Sequence, residues 1–126
     1  MIVGTGIDIA EVPRIRQSIE RFGERFLQRV FTEGEIAYCR RKKLNSAESF
    51  AARFAAKEAG AKALGTGISR GVNWKEFEVR REEGGRPTLH LSGRAAEMAR
   101  AMGVKRVQLS LTHSRELAMA VVLVED

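Results

Sequence analysis

Cysteine is almost missing from this chain: Cys39 stands alone, so no internal disulfide is possible. With that thiol and only two histidines there is no cluster at zinc-ligand spacing, and any bound metal must take oxygen ligands. No stretch approaches the roughly 18 to 20 uncharged apolar residues of a membrane helix. The opening Met1-Ile2-Val3-Gly4 has neither the basic lead nor the apolar core of a signal peptide, so the expectation is a cytoplasmic protein with no membrane partner. Proline occurs twice, low-complexity segments are lacking, and the one repeated word, Gly-Thr-Gly-Ile at 4–7 and 65–68, is too short to mean duplication. What remains is 126 residues, 44% apolar and 30% charged, which predicts one compact domain over 1–126 and excludes disordered or fibrous classes. The net charge is +6, and residues 14–43 carry nine Lys or Arg against four Glu, so the basic excess is local and favours an acidic partner.

Met1–Ala10 is rich in Ile and Val without a helical period and reads as a strand. Val3, Thr5, Ile7 and Ile9 share one face. Gly4, Gly6 and Asp8 share the other with Ile2, leaving two absent side chains beside a carboxylate, where something approaches closely. From Pro13, apolar residues recur at Ile15, Ile19, Phe22, Phe26 and Val30, a helix that Gly23 kinks or splits, with Arg14, Arg21, Arg25 and Arg29 on a neighbouring face of a continuous wheel. Thr32 and Glu35 have capping-box spacing and open a short helix to about Arg41; Asn45 and Glu48 repeat that spacing and open the longest one, Ser46 to Leu64, ended by Gly65-Thr66-Gly67. Strands at 77–81 and 88–91 flank a turn at Glu83-Gly84-Gly85-Arg86-Pro87, Ser92 caps a helix from Gly93 to Met102, and strands at 107–113 and 117–124 close the chain. The order is α+β, a mainly antiparallel sheet packed on one long helix with shorter helices around it.

The long helix carries an anomaly, because Glu58 continues the stripe Phe50, Ala51, Phe54 and Ala61. The plain reading is an i,i+4 pair with Lys62, worth about 0.3 to 0.5 kcal/mol. The functional reading joins Glu58 to Asp8 as two carboxylates from separate elements, able to hold a magnesium ion that completes its shell with water and phosphate. His113 ends the apolar row Val107, Leu109 and Leu111, where a hydrogen-bonded structural histidine is the commoner outcome. A Ser-His-Asp triad lacks any nucleophile elbow, and neither Gly-Thr-Gly segment fits a P-loop or a dinucleotide fingerprint. The run Arg40-Arg41-Lys42-Lys43 is explained by solvation or by the helix C-terminus it follows.

Taken together, Gly6-Ile7-Asp8, Phe31-Thr32-Glu33-Gly34-Glu35, the block from Phe54 through Lys57-Glu58-Ala59 to Lys62 and Gly65-Thr66-Gly67, Gly85-Arg86-Pro87 and Leu109-Ser110-Leu111-Thr112-His113-Ser114 resemble the holo-acyl-carrier-protein synthases, the small bacterial 4′-phosphopantetheinyl transferases. The resemblance covers essentially the whole chain. It implies transfer of the phosphopantetheine arm of coenzyme A to a serine of an apo acyl carrier protein, with release of adenosine 3′,5′-bisphosphate, in fatty acid biosynthesis. It also implies the fold of that family and a homotrimer with active sites between subunits. By motif position Asp8 and Glu58 look like magnesium ligands, Lys62 like a phosphate-binding and proton-donating residue, and His113 like a coenzyme A contact. Arg53, Gly65, Thr66 and Gly67 follow as further cofactor contacts. Thr112 and Leu117 stand where the family often has serine and tyrosine, which touches details of the cofactor pocket only.

A pyrophosphate and a 3′-phosphate call for hard oxygen ligands and Arg or Lys donors, which this sequence provides. The serine proton goes to Glu58 or to a metal-bound water, alternatives the sequence leaves open. Carrier proteins are acidic, so Arg14, Arg21, Arg25 and Arg29 form the expected docking face. The competing reading, a basic nucleic-acid-binding module, needs readout aromatics, yet most of the eight present fall on apolar stripes, and no nucleic acid is expected as partner.

Overall fold

Alanine recurs along Ser46–Ala63, and such small side chains let a helix be surrounded closely on nearly every side. This helix is the axis of the molecule. The computed structural model describes residues 1–81 and 84–126. Its elements run β1 (Ile2–Glu11), α1 (Val12–Phe22), α2 (Glu24–Val30), α3 (Glu33–Arg40), α4 (Ser46–Ala63), β2 (Phe77–Arg81), β3 (Pro87–Leu91), α5 (Gly93–Ala101), β4 (Arg106–His113) and β5 (Leu117–Glu125). Short 3-10 turns at Lys43–Asn45 and Trp74–Glu76 lead into α4 and β2. All strand pairings are antiparallel, as expected, but the strands divide into two sheets, ordered β1-β5-β4 and β2-β3.

The gap left by Gly4 and Gly6 is filled by α4 itself. A Cβ at Gly6 would overlap the Ala59 carbonyl oxygen, and one at Gly4 that of Ala63, so only glycine permits the crossing. Asp8 and Ala10 continue this inner face. The apolar row is therefore the outer one: Ile7 and Ile9 are exposed, opposite Val121 and Met119 of β5.

Gly23, at φ 56°, splits the predicted N-terminal helix into α1 and α2, and Phe22, assigned to the apolar stripe, lies half exposed at the break. The capping box that starts α3 forms as read, with Thr32 Oγ1 accepting from Glu35 N and Glu35 Oε1 from Thr32 N. Two other expected caps do not form. Asn45 gives α4 no side-chain hydrogen bond, and at α5 the acceptor is not Ser92 but Glu76, whose carboxylate takes the Ala95 N–H at 2.8 Å. Element ends otherwise fall within a residue of the expectation, and Glu83 of the expected turn lies outside the described residues.

Candidate active site

Because β1 lies flat on α4, the carboxylate that follows its glycines is delivered to the helix surface where Glu58 and Lys62 project. Lys62 Nζ donates to Asp8 Oδ1 at 2.9 Å and to the Ile7 carbonyl at 3.0 Å. The i,i+4 pair expected as the plain alternative is thus displaced, since the ammonium turns across to β1. Glu58 is half-buried. Its carboxyl is pushed above the ordinary 4.5 by that burial and by the negative charge of Asp8, with Lys62 pulling partly the other way.

A carboxylate made reluctant to ionise by a neighbouring carboxylate is a group that a divalent cation would relieve. Both donors are hard oxygens. Among the described residues no group of three or more His, Cys, Asp or Glu gathers at one point, so the pair is too small to enclose a cation. That fits magnesium, which binds through one or two carboxylates and keeps positions for water and substrate phosphate. Lys57, beside Glu58 in sequence, serves a different face: it is fully buried, with Nζ 2.6 Å from Glu35 Oε1.

A second centre lies at the other end of α4. Arg53, buried to 4% exposure, shares one helix face with Asn45 and Ser49, and all three line a cavity of about 460 Å³ together with Tyr38, Lys42, Arg81, Leu111, Thr112 and His113. The guanidinium stacks 4.1 Å over the Tyr38 ring, and Arg53 Nε has no hydrogen-bond partner although it is buried. A buried donor left open in a cavity with two more cations is suited to an anion. Burial alone would raise the Tyr38 hydroxyl, but the Lys42 ammonium beside it and the charges of Arg53 and Arg81 outweigh this and hold it below the ordinary 10. His113 is held by a partner distant in sequence, its Nδ1 2.9 Å from Glu48 Oε1.

The structure thus brings Asp8, Glu58 and Lys62 together and sets Arg53 and His113 in a separate cavity, with β5 between the strands of Asp8 and His113. In the Gly65–Gly67 segment all three N–H groups turn back to helix carbonyls, Gly65 to Lys62 and the next two to Ala61, while the Thr66 carbonyl accepts from Ser69 Oγ and that of Gly67 from Thr66 Oγ1 and Ser69 N. The arginine face survives the break at Gly23 as two hollows, one lined by Arg14 and Arg21, the other by Arg25 and Arg29, sharing Ser18 and Phe22. Sequence reasoning missed Tyr38, Lys42, Arg81 and Glu48. The spacing of Asn45, Ser49 and Arg53 at i, i+4 and i+8 was the available signal for a polar helix face there.

Comparison with known proteins places the whole chain in one family. Residues 4–122 match the model of the 4′-phosphopantetheinyl transferase superfamily. The holo-[acyl-carrier-protein] synthase of Koribacter versatilis is 58% identical over 126 residues, all of both chains. Among solved structures, that synthase from Neisseria meningitidis superposes with a TM-score of 0.88 at 33% identity, covering 100% of each chain. The Helicobacter pylori enzyme in complex with coenzyme A gives 0.84 at 31% identity, covering 96% of this chain and 99% of that one. Two facing carboxylates, a lysine across from them and this full-length likeness place the chain in the holo-[acyl-carrier-protein] synthase family of 4′-phosphopantetheinyl transferases.

Proposed function

We propose that the protein transfers the 4′-phosphopantetheine group of coenzyme A to a serine hydroxyl of an apo acyl carrier protein, with magnesium, in the cytoplasm, as a step of fatty acid biosynthesis. The observation that carries this reading is the convergence of Asp8, Glu58 and Lys62 at the crossing of β1 and α4. Asp8 and Glu58 would hold the cation, which when bound supplies charge neutralisation on the pyrophosphate. Lys62 donates hydrogen bonds to a phosphoryl oxygen, where negative charge builds during displacement. The serine oxygen forms its bond to the β-phosphorus while the bond to the α-phosphate oxygen breaks, and the electron pair leaves with adenosine 3′,5′-bisphosphate. Glu58, at this crossing, is the chain's own carboxylate suited to take the serine proton.

The cavity of Arg53 and His113 is the second anchor, a cationic seat for the nucleotide end of coenzyme A. None of its lining residues is Asp8, Glu58 or Lys62, so one chain offers the two halves on the two edge strands of its sheet, with β5 between them. A homotrimer joined through the outer face of β1 and β5 supports both halves at once, each subunit presenting its cavity to a neighbour's carboxylates. Arg14, Arg21 and Arg25 form the docking face for the acidic carrier, and charge reversal as Arg14→Glu with Arg21→Glu is expected to raise the KM for the carrier with the KM for coenzyme A unchanged.

The test is intact-mass spectrometry of an apo acyl carrier protein incubated with this protein, coenzyme A and magnesium. A gain of one phosphopantetheine, abolished by chelator and by Asp8→Ala, supports the reading. No gain together with no binding of coenzyme A sinks it.

A further inference from the structure

Glu48 sits in the first turn of α4, where its spacing from Asn45 matches a capping box, yet that box does not form. Its carboxylate turns instead to β4 and meets Nδ1 of His113 at 2.9 Å, a partner 65 residues away. The pair contributes little to stability. His113 keeps 42% of its side-chain exposure and Glu48 17%, so solvent screens the contact.

The pair does settle which ring nitrogen of His113 is available. An imidazole has two nitrogens of different character, and the hydrogen bond made by one decides what the other can offer. With Nδ1 committed to the carboxylate, Nε2 is left for a ligand in the cavity that His113 lines with Arg53, Lys42 and Arg81. We propose that Glu48 is a positioning residue for nucleotide binding: it fixes the rotation and tautomer of His113 so that Nε2 is presented to the phosphate-bearing end of coenzyme A. This rests on the transferase reading above and adds to it a residue that never touches the substrate. The three cations draw the anion into the cavity, and the ring held by Glu48 sets where it comes to rest.

A double-mutant cycle tests this, using Glu48→Ala, Glu48→Gln, His113→Ala and Glu48→Ala with His113→Ala, each assayed for transfer at varied coenzyme A and at varied carrier. Glu48→Ala is expected to raise the KM for coenzyme A about tenfold, the lower end of the loss when the outer partner of a metal-ligating histidine is removed. Its loss should fall on that KM rather than on kcat or on the KM for the carrier. Glu48→Gln still accepts a hydrogen bond from Nδ1 and should restore most of the affinity. In the His113→Ala background, removing Glu48 should change nothing further. A KM unmoved by Glu48→Ala, or raised equally with His113 already gone, overturns the role of Glu48 while leaving the transferase reading intact. Absence of transfer by the unaltered protein overturns that reading and this inference with it.

Discussion

Glu58 shows how far a single side chain can be read. Its place on an otherwise apolar helix stripe marked it in the sequence, and so did the glycines ahead of Asp8, because an absent side chain and a misplaced carboxylate are both visible without a fold. Lys62 was legible as a neighbour of Glu58 but not as the residue that crosses to Asp8, which depends on the Gly4 and Gly6 crossing. Tyr38, Lys42 and Arg81 gave no signal, since a cavity assembled from α3, α4, β2 and β4 has no spacing. The raised Glu58 carboxyl has a direct consequence for stability. The folded state binds that proton more tightly than the unfolded chain, so the contribution is fully present below the ordinary 4.5 and is lost as pH rises through the raised value. Glu58→Gln removes the repulsion, and in chelator its melting temperature should exceed that of the unaltered protein at pH 8, with the difference vanishing as pH falls below 4.5. Magnesium should reverse the order: saturation a hundredfold above Kd adds about 2.7 kcal/mol to a protein that binds it, and Glu58→Gln should gain almost nothing. An equal magnesium shift in both proteins, read by scanning fluorimetry, would remove Glu58 from the cation site.

Lys57 decides how the elements meet. Its ammonium is wholly buried, paired with Glu35 of α3, and also donates to the Trp74 carbonyl at 3.2 Å, while the other oxygen of Glu35 accepts from Val79 N at 2.8 Å. Three elements, α3, α4 and β2, are pinned by two side chains. Burial pushes the Lys57 ammonium below its ordinary 10.5 in spite of the attraction of Glu35, so desolvation takes back part of what the pair supplies. Breaking it is another matter, because Glu35 would remain as an uncompensated buried charge. Lys57→Met is expected to cost about 3 to 5 kcal/mol in urea unfolding. Transfer per folded molecule should be retained, because Lys57 faces away from Asp8; a loss of turnover in protein shown to be folded would give it a role in the chemistry. The sequence block Lys57-Glu58 therefore holds one structural and one candidate catalytic residue, separated by the 100° turn between helix neighbours. Local signals carried most of the element order: the Thr32 and Glu35 box formed because both partners lie within four residues. The half of the capping box expected of Glu48 and the cap expected at Ser92 failed for one physical reason. A carboxylate takes its best partner wherever the fold brings one, and Glu48 found His113 while Glu76 reached α5 from elsewhere in the chain.

At the scale of the whole molecule, β1 and β5 present an apolar sheet face with nothing among the described residues to cover it. Ile7 and Ile9 are each 55% exposed, Leu117 and Val121 flank them across the β1–β5 pairing, and Ile7 lies directly opposite Val121. Fully burying one such aliphatic side chain is worth about 1.5 to 3 kcal/mol, so a cluster repeated on every copy favours association. Val121→Asp places a charge at the middle of that face and is expected to yield monomers by analytical ultracentrifugation, with loss of transfer despite a retained fold. A stronger test follows from the separation of Asp8 from the cavity of His113. If a working site takes its carboxylates from one subunit and its cavity from the next, Asp8→Ala and His113→Ala proteins, each impaired alone at low coenzyme A, must complement one another. Random reassembly of an equal mixture pairs an intact carboxylate set with an intact cavity at about a quarter of the interfaces in a cyclic trimer. Recovery of about a quarter of the unaltered rate after joint refolding is the expected result. If refolded mixtures do no better than the sum of the separate variants, both halves act within one chain, and coenzyme A must then reach around the end of β5 rather than across a subunit boundary.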